Sequence, residues 1–223
     1  MKMQDLVRQF KGIPVWEFSQ SSLREHFRKQ GVGGLCNSLS ISWINYHAHN
    51  DSLANHLKQP DINSQDYLVL QHMIFLQDTL QKKGPLDSSM VWLVMHGMVL
   101  LNIGYGATDS PDSEYRIITT LAKEYNCYAL ISFGLKDYAR KRSKLHAVAA
   151  WLGGPDPVKG DVCFFEPNYG EFWFESKQDF FSFFPVYYQL HRTTHGQSGV
   201  LLRDRVKMEY SSVVICALSS TAL

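Results

Sequence analysis

The chain has 223 residues, which is enough for one domain with a full hydrophobic core. Its 22 lysine and arginine residues face 21 aspartate and glutamate residues, so the overall charge gives no general reason to bind nucleic acid or an acidic membrane. Hydrophobic residues make up 45% and charged residues 19%, a composition that excludes a disordered chain.

Apolar residues recur every three or four positions in the first half of the chain, and serine or aspartate stands near the start of each such run. This pattern predicts helices over 36–49, 64–82, 88–101 and 110–125. From about residue 127 the pattern changes to short runs rich in valine, isoleucine, phenylalanine and tyrosine. These runs predict strands over 127–133, 145–152, 162–167, 171–175 and 208–218, with an aromatic helix over 177–189.

Helices followed by strands indicate the α+β class, with a helical N-terminal half packed on a C-terminal antiparallel sheet. No repeat or linker divides the chain, so residues 1–223 are expected to form one domain, with 1–20 as a flexible or secretion-related N-terminus. That polar N-terminus lacks the apolar segment of a signal peptide. The longest apolar run, 90–101, is too short to span a bilayer, so no stable membrane anchor is expected.

The four cysteines, at positions 36, 127, 163 and 216, are widely spaced and never form a C-x-x-C pair. Their spacing excludes a zinc ribbon or a thioredoxin motif, and their density is not that of a disulfide-stapled domain. Free thiols are therefore expected. No metal ion or other cofactor is predicted.

Cys36 follows the glycine-rich segment 31–34 and stands at the first turn of a predicted amphipathic helix. Unpaired N–H groups and partial positive charge at a helix N-terminus lower the pKa of a thiol and favour the nucleophilic thiolate. Cys36 is therefore the candidate nucleophile. The alternative is an ordinary buried cysteine beside glycines that only permit a tight turn.

A predicted hairpin supplies the candidate proton partner. If its loop is centred near residue 156 or 157, His146 lies opposite residues 166–168. Glu166 and Asn168 share one face of the returning strand, and either could hold the imidazole in the tautomer that accepts a proton from Cys36. Asp161 would lie too far away. Taken singly, His146 could be a satisfied half-buried histidine and Glu166 a solvated carboxylate at a strand edge.

The order and spacing of three segments resemble the YopT-like family of papain-fold cysteine proteases. The segments are Gly-Leu-Cys36 with Leu39 and Trp43, then His146-Ala-Val-Ala, then the string Phe-Phe-Glu-Pro-Asn-Tyr-Gly-Glu over 164–171. The resemblance spans about residues 30–190. It implies a papain-like fold and a catalytic triad of Cys36, His146 and the acid at position 166.

This chain departs from the family at the third triad position. The family has aspartate where this chain has Glu166, and the loop between His146 and Glu166 is longer here. Asn168 remains the alternative third member, because other papain-type enzymes orient the histidine with asparagine. The resemblance also implies an oxyanion hole made by the Cys36 backbone N–H and a glutamine six residues earlier, here Gln30, which could equally be a solvated helix end.

Other polar and aromatic clusters have simpler interpretations. His47 and His49 are two residues apart on a predicted helix, so with Asp51 they do not converge on a metal. His191 and His195 have ligand spacing, but the residues around them favour a frayed helix end. Gly104-x-Gly106 is expected to be a turn and not a nucleotide loop, and the aromatic run 180–188 is expected to be core that could also line a substrate groove.

Three functions remain open on these residues. The first is a thiol protease that cleaves a specific host protein, because members of the resembled family are bacterial effectors delivered into host cells. The second is a glutamine deamidase or transglutaminase with the same triad, and the third is a catalytically inactive papain-like binding module. For the first, we expect secretion into a host cell by a route that needs no signal peptide, with the cytoplasm as the alternative location.

Overall fold

The computed structural model describes residues 2–58, 64–107, 113–137, 142–156, 159–193 and 206–219. The helices in these residues are α1 (Met3–Gln9), α2 (Arg24–Arg28), α3 (Cys36–Ala48), α4 (Gln65–Lys83), α5 (Pro85–Met95), α6 (Ser113–Leu121) and α7 (Lys177–Thr193). The strands are β1 (Ile13–Glu17), β2 (Met98–Ala107), β3 (Cys127–Asp137), β4 (Arg142–Leu152), β5 (Val162–Glu166), β6 (Gly170–Phe174) and β7 (Val206–Leu218).

All seven described strands form one antiparallel sheet in the order β1-β6-β5-β4-β3-β7-β2. Side chains alternate between the two faces of each strand, and both faces are covered by helices. On one face α1, α6 and α7 pack on residues such as Val148 and Phe164. On the other face α3, α4 and α5 pack on residues such as Ala149 and Phe165. The α+β class predicted from the sequence is therefore confirmed.

The hairpin of β4 and β5 has the register predicted from its loop. Leu152 pairs with Val162 and Ala149 pairs with Phe165, so the residues of each pair sum to the same number. The pairing with β4 ends at Phe165, and a tight turn after Glu166 leads into β6. This register carries the end of β5 towards the part of β4 that holds His146.

The predicted helix over 88–101 is wrong in its second half. The helix begins earlier, at Pro85, and ends at Met95, because Gly97 adopts a positive φ of 83° that a right-handed helix does not allow. Strand β2 then begins at Met98 and pairs with β7. Gly104 and Gly106 lie inside this strand, so the turn predicted there is also wrong.

Residues near the N-terminus, within the segment 1–20 that was expected to be flexible or secretion-related, pack on the core. Met3, Leu6 and Val7 of α1 are buried in the cluster that also holds α7. Strand β1 forms one edge of the sheet and pairs with β6. At Gly170 of β6, φ is +109° and an added Cβ would lie 1.9 Å from the carbonyl oxygen of Trp16, so this strand contact needs glycine.

Helix α3 is more deeply buried than the amphipathic helix predicted from the sequence. Every residue from Cys36 to Ile44 is buried, because α3 lies between the sheet on one side and α4 and α5 on the other. Two of its serine hydroxyls donate to backbone carbonyl oxygens: Ser38 Oγ to Leu35 at 3.1 Å, and Ser40 Oγ to Ala147 of β4 at 3.0 Å. This contact fixes the helix that begins at Cys36 against the strand that carries His146.

Candidate active site

Cys36 is the first residue of α3, where backbone N–H groups lack partners within the helix. Two glutamine side chains from elsewhere in the chain satisfy neighbouring groups. Gln77 of α4 accepts from the Ser38 N–H at 2.9 Å, and Gln20 accepts from the Leu35 N–H at 2.7 Å. The start of α3 is therefore held by side chains that are remote in sequence, and no side chain of its own N-cap residue does this.

The Cys36 thiol lies against the backbone of β4 on both sides of His146. Its Sγ donates to the Leu145 carbonyl oxygen at 3.7 Å and accepts a hydrogen bond from the backbone N–H of Ala147. Burial raises the pKa of the thiol to about 11. Hydrogen bonds from the backbone N–H groups of Ala147, Asn37 and Cys36 itself act in the opposite direction but are outweighed. In the free protein Cys36 is therefore a neutral thiol near neutral pH.

His146 is paired with Glu166 inside the protein. The distance from Nε2 of His146 to Oε1 of Glu166 is 2.6 Å, and their side chains are 8% and 0% exposed. Since a carboxylate can only accept, Nε2 donates and Nδ1 is left as the acceptor nitrogen. Burial lowers the pKa of His146 to about 3.

Asn168 stands behind Glu166 and does not make the 2.6 Å contact with His146. Its backbone N–H donates to Oε2 of Glu166 at 3.2 Å, and its Nδ2 donates to Oε1 at 3.1 Å. The carboxylate therefore receives donors from Asn168 as well as from the imidazole. Asp161 lies elsewhere, at the other end of the hairpin, where it accepts from the indole N–H of Trp173 at 3.1 Å.

The structure does not bring Gln30 together with this group. Gln30 is exposed, and its amide nitrogen donates to Gln71 at 2.7 Å. The glutamine beside the nucleophile is Gln20, which also donates to Oδ1 of Asn168 at 2.8 Å. Sequence reasoning missed Gln20, because it lies 15 residues from Leu35 and 148 from Asn168 and no periodic pattern marks it.

The other histidine candidates have partners of their own. His47 shares a hydrogen bond of 2.8 Å with the hydroxyl of Tyr128, and His49 bonds a backbone carbonyl of its own helix. Asp51 pairs with His56 at 2.6 Å. Across the described ranges no group of three histidine, cysteine, aspartate or glutamate side chains could hold a metal ion. The predictions for His191 and His195 concern side chains outside the described residues.

The aromatic run of α7 is core, as predicted. Phe180, Phe183, Phe184, Tyr187 and Tyr188 are each 0% exposed. Tyr187 lies within electrostatic range of Glu166 and Cys36, and burial raises its pKa well above the ordinary value. These rings therefore form the apolar floor beneath the polar site. None of the helices within the described ranges is long and apolar enough to cross a membrane.

Several solved structures resemble this chain, including the following two. A Pseudomonas avirulence protein, AvrPphB, is 18% identical, with 82% of this chain and 92% of that chain covered and a TM-score of 0.49. The YopT domain of the Pasteurella multocida PfhB2 toxin is 16% identical, with 87% of this chain and 94% of that chain covered and a TM-score of 0.30. The comparison with curated proteins gives no match.

A family model matches part of the second half of the chain. The model Peptidase C58, described as Yersinia/Haemophilus virulence surface antigen, matches residues 119–199, which include His146 and Glu166 but not Cys36. The resemblance predicted from the sequence is thus confirmed by an independent match, and a protease of this family acts on a protein substrate. Over residues 119–199 the chain is similar to the YopT-like family of cysteine proteases, and this match supports a cysteine protease activity.

Proposed function

We propose that the chain cleaves a specific host protein through a triad of Cys36, His146 and Glu166. The observation that supports this most directly is the 2.6 Å hydrogen bond between His146 and Glu166. It joins a histidine whose neighbours in β4 contact the Cys36 thiol to an acid that fixes the imidazole orientation. Nucleophile, proton carrier and orienting acid then follow the roles known for such triads.

The proposed reaction begins with transfer of the Cys36 proton to Nδ1 of His146. The resulting thiolate attacks the substrate carbonyl carbon, and the backbone N–H of Cys36 donates to the oxyanion that develops. His146 returns the proton to the leaving amine as the peptide bond breaks, which leaves a thioester on Cys36. Water then attacks the thioester, His146 takes its proton, and the acid product leaves with the thiol restored.

The neutral thiol and neutral imidazole of the free site give substrate binding an electrostatic role. Burial disfavours each separate charge, but the two charges of a thiolate and imidazolium pair stabilise each other. Glu166 stabilises the imidazolium further. Proton transfer is therefore expected to accompany binding of the peptide and not to precede it.

The proposed substrate and location follow from the family. Its model is described as a virulence surface antigen, which supports an effector secreted into a host cell. Residues 1–223 are proposed to act as one catalytic domain, since α1 and α7 share one buried cluster.

The test compares wild-type protein with Cys36→Ser in a host-cell lysate. New protein N-termini are mapped by mass spectrometry after chemical labelling. A defined set of new termini with the wild type alone is expected. A mass increase from amide to acid, without new termini, would instead indicate a deamidase, and crosslinked products would indicate a transglutaminase. No modification together with no labelling of Cys36 by a thiol-reactive peptide probe would indicate an inactive binding module.

A further inference from the structure

Gln20 lies outside the proposed triad, yet its side chain touches both halves of the site. Its Oε1 accepts from the backbone N–H of Leu35, directly before Cys36, at 2.7 Å, and its Nε2 donates to Oδ1 of Asn168 at 2.8 Å. We infer that Gln20 is a positioning residue that ties the start of α3 to the turn after Glu166. The inference rests on the proposed protease function, because it concerns the geometry of that triad.

One backbone group fixes the direction of the whole hydrogen-bond chain. The Leu35 N–H can only donate, so Gln20 must turn its oxygen towards it and its NH2 group towards Asn168. Asn168 then accepts through Oδ1 and is left to donate through Nδ2, which lies 3.1 Å from Oε1 of Glu166. That same oxygen lies 2.6 Å from Nε2 of His146. The orientation of the Gln20 side chain therefore determines whether Asn168 presents a donor or an acceptor to Glu166.

The backbone of Gln20 is anchored separately from its side chain. The Gln20 N–H donates to the Pro167 carbonyl oxygen at 2.7 Å, a contact that any residue except proline can make. The side chain is half-buried, and an added Cβ at Gly34 would lie 3.5 Å from its Oε1. Substitution of the side chain should therefore leave the segment attached to the turn.

Two substitutions separate the polarity of Gln20 from its volume. Gln20→Met keeps a similar length but removes both hydrogen bonds. Gln20→Glu still accepts from Leu35 but offers a second oxygen to Asn168, which must then rotate and turn its own oxygen towards Glu166. A packing role predicts that Gln20→Met is at least as harmful as Gln20→Glu. The positioning role predicts the reverse order.

The first readout is the Nε2–H proton resonance of His146, which reports the bond to Glu166 without any substrate. The second is the pH dependence of Cys36 alkylation by iodoacetamide. We expect Gln20→Glu to shift the resonance and lower the alkylation rate about tenfold or more, with a smaller effect for Gln20→Met. Gln178→Glu, the same exchange at an exposed position of α7, should leave both unchanged.

A double-mutant cycle tests whether Gln20 acts through Asn168. The combination of Gln20→Met with Asn168→Ala should lower the alkylation rate no further than the more harmful single variant does, because both substitutions break the same series of hydrogen bonds. Multiplicative effects on the alkylation rate would overturn the inference. If Gln20→Met fails to fold, the test rests on the His146 resonance of Asn168→Ala alone. An unshifted resonance in that variant would contradict the proposed series of hydrogen bonds.

The two proposals can fail separately. If the wild type cleaves no protein but its His146 resonance responds to Gln20 as expected, the positioning role stands and the protease function is rejected. If the wild type cleaves its substrate and Gln20→Glu changes neither the resonance nor the pH profile, the positioning role is rejected and the protease function stands.

Discussion

His146 and Glu166 lie 20 residues apart in the chain and meet with Nε2 2.6 Å from Oε1, both nearly excluded from solvent. Water cannot readily replace either partner in such a place. A change at Glu166 is therefore expected to act directly on the orientation and charge of the imidazole.

Glu166→Gln should lower turnover by roughly ten- to a thousandfold while the protein remains folded. An amide can still orient the ring but does not stabilise the imidazolium. The measurement is the rate of substrate cleavage, or of Cys36 labelling by a peptide probe. Asp161→Asn is the matched control and should have little effect, because Asp161 contacts Trp173. If Asn168→Ala silences the enzyme while Glu166→Gln does not, Asn168 is the third triad member.

Glu166→Asp should also reduce turnover, by about tenfold or more, although aspartate is the residue of the family. The glutamate reaches His146 at 2.6 Å from a fully buried position, so a side chain one methylene shorter leaves a gap in this backbone register. The same labelling assay measures it. Full activity of Glu166→Asp would mean that β5 shifts to restore the family geometry.

Cys36 should be the thiol that iodoacetamide modifies first, and its rate should rise about tenfold per pH unit from pH 7 to 10. Burial raises the pKa of Cys36 to about 11, but raises those of Cys127 and Cys216 to about 12 and that of Cys163 further still. Peptide mapping by mass spectrometry identifies the modified residue at each pH. Faster modification of Cys163, which is equally buried, would contradict the assignment of the nucleophile.

The free energy of unfolding should fall as the pH decreases from 6.5 to 5, by at most about 1.4 kcal/mol per unit from His146. The folded protein holds the pKa of His146 at about 3, below the ordinary 6.5, so the unfolded chain binds more protons in this range and acid favours unfolding. Urea denaturation at each pH measures the effect. In His146→Gln the free energy of unfolding should depend less on pH. An equal pH dependence in both proteins would mean that a group other than His146 causes it.

Gly170→Ala should cost about 3 kcal/mol or more of folding free energy. Its φ is +109°, and the new Cβ would lie 1.9 Å from the Trp16 carbonyl oxygen of the paired edge strand. Gly33→Ala is the control, because a Cβ there meets nothing within 4 Å. Thermal unfolding compares the two. Equal melting temperatures would mean that β1 does not pack on β6 at this point.

Local patterns were sufficient for the elements that hold the proposed triad. Apolar spacing predicted a helix from Cys36, and the loop between β4 and β5 predicted the register that brings Glu166 to His146. Both signals are local, since a helix repeats every 3.6 residues and a hairpin is aligned by its turn. The prediction for the segment after Met95 was wrong. Apolar residues suit both a buried helix and the strand β2, and only pairing with β7 decides between them.

The sequence by itself determined the α+β class, the candidate pair of Cys36 and His146 and the hairpin that carries the acid. Only the tertiary structure decided which glutamine lies beside the nucleophile, since Gln20 reaches Leu35 and Asn168 across the fold and Gln30 binds Gln71. It also decided the direction in which the two pKa values shift, because desolvation depends on layers of helix and sheet contributed by the whole chain. Contacts between residues far apart in sequence leave no periodic signal, so they appear only when the chain is folded.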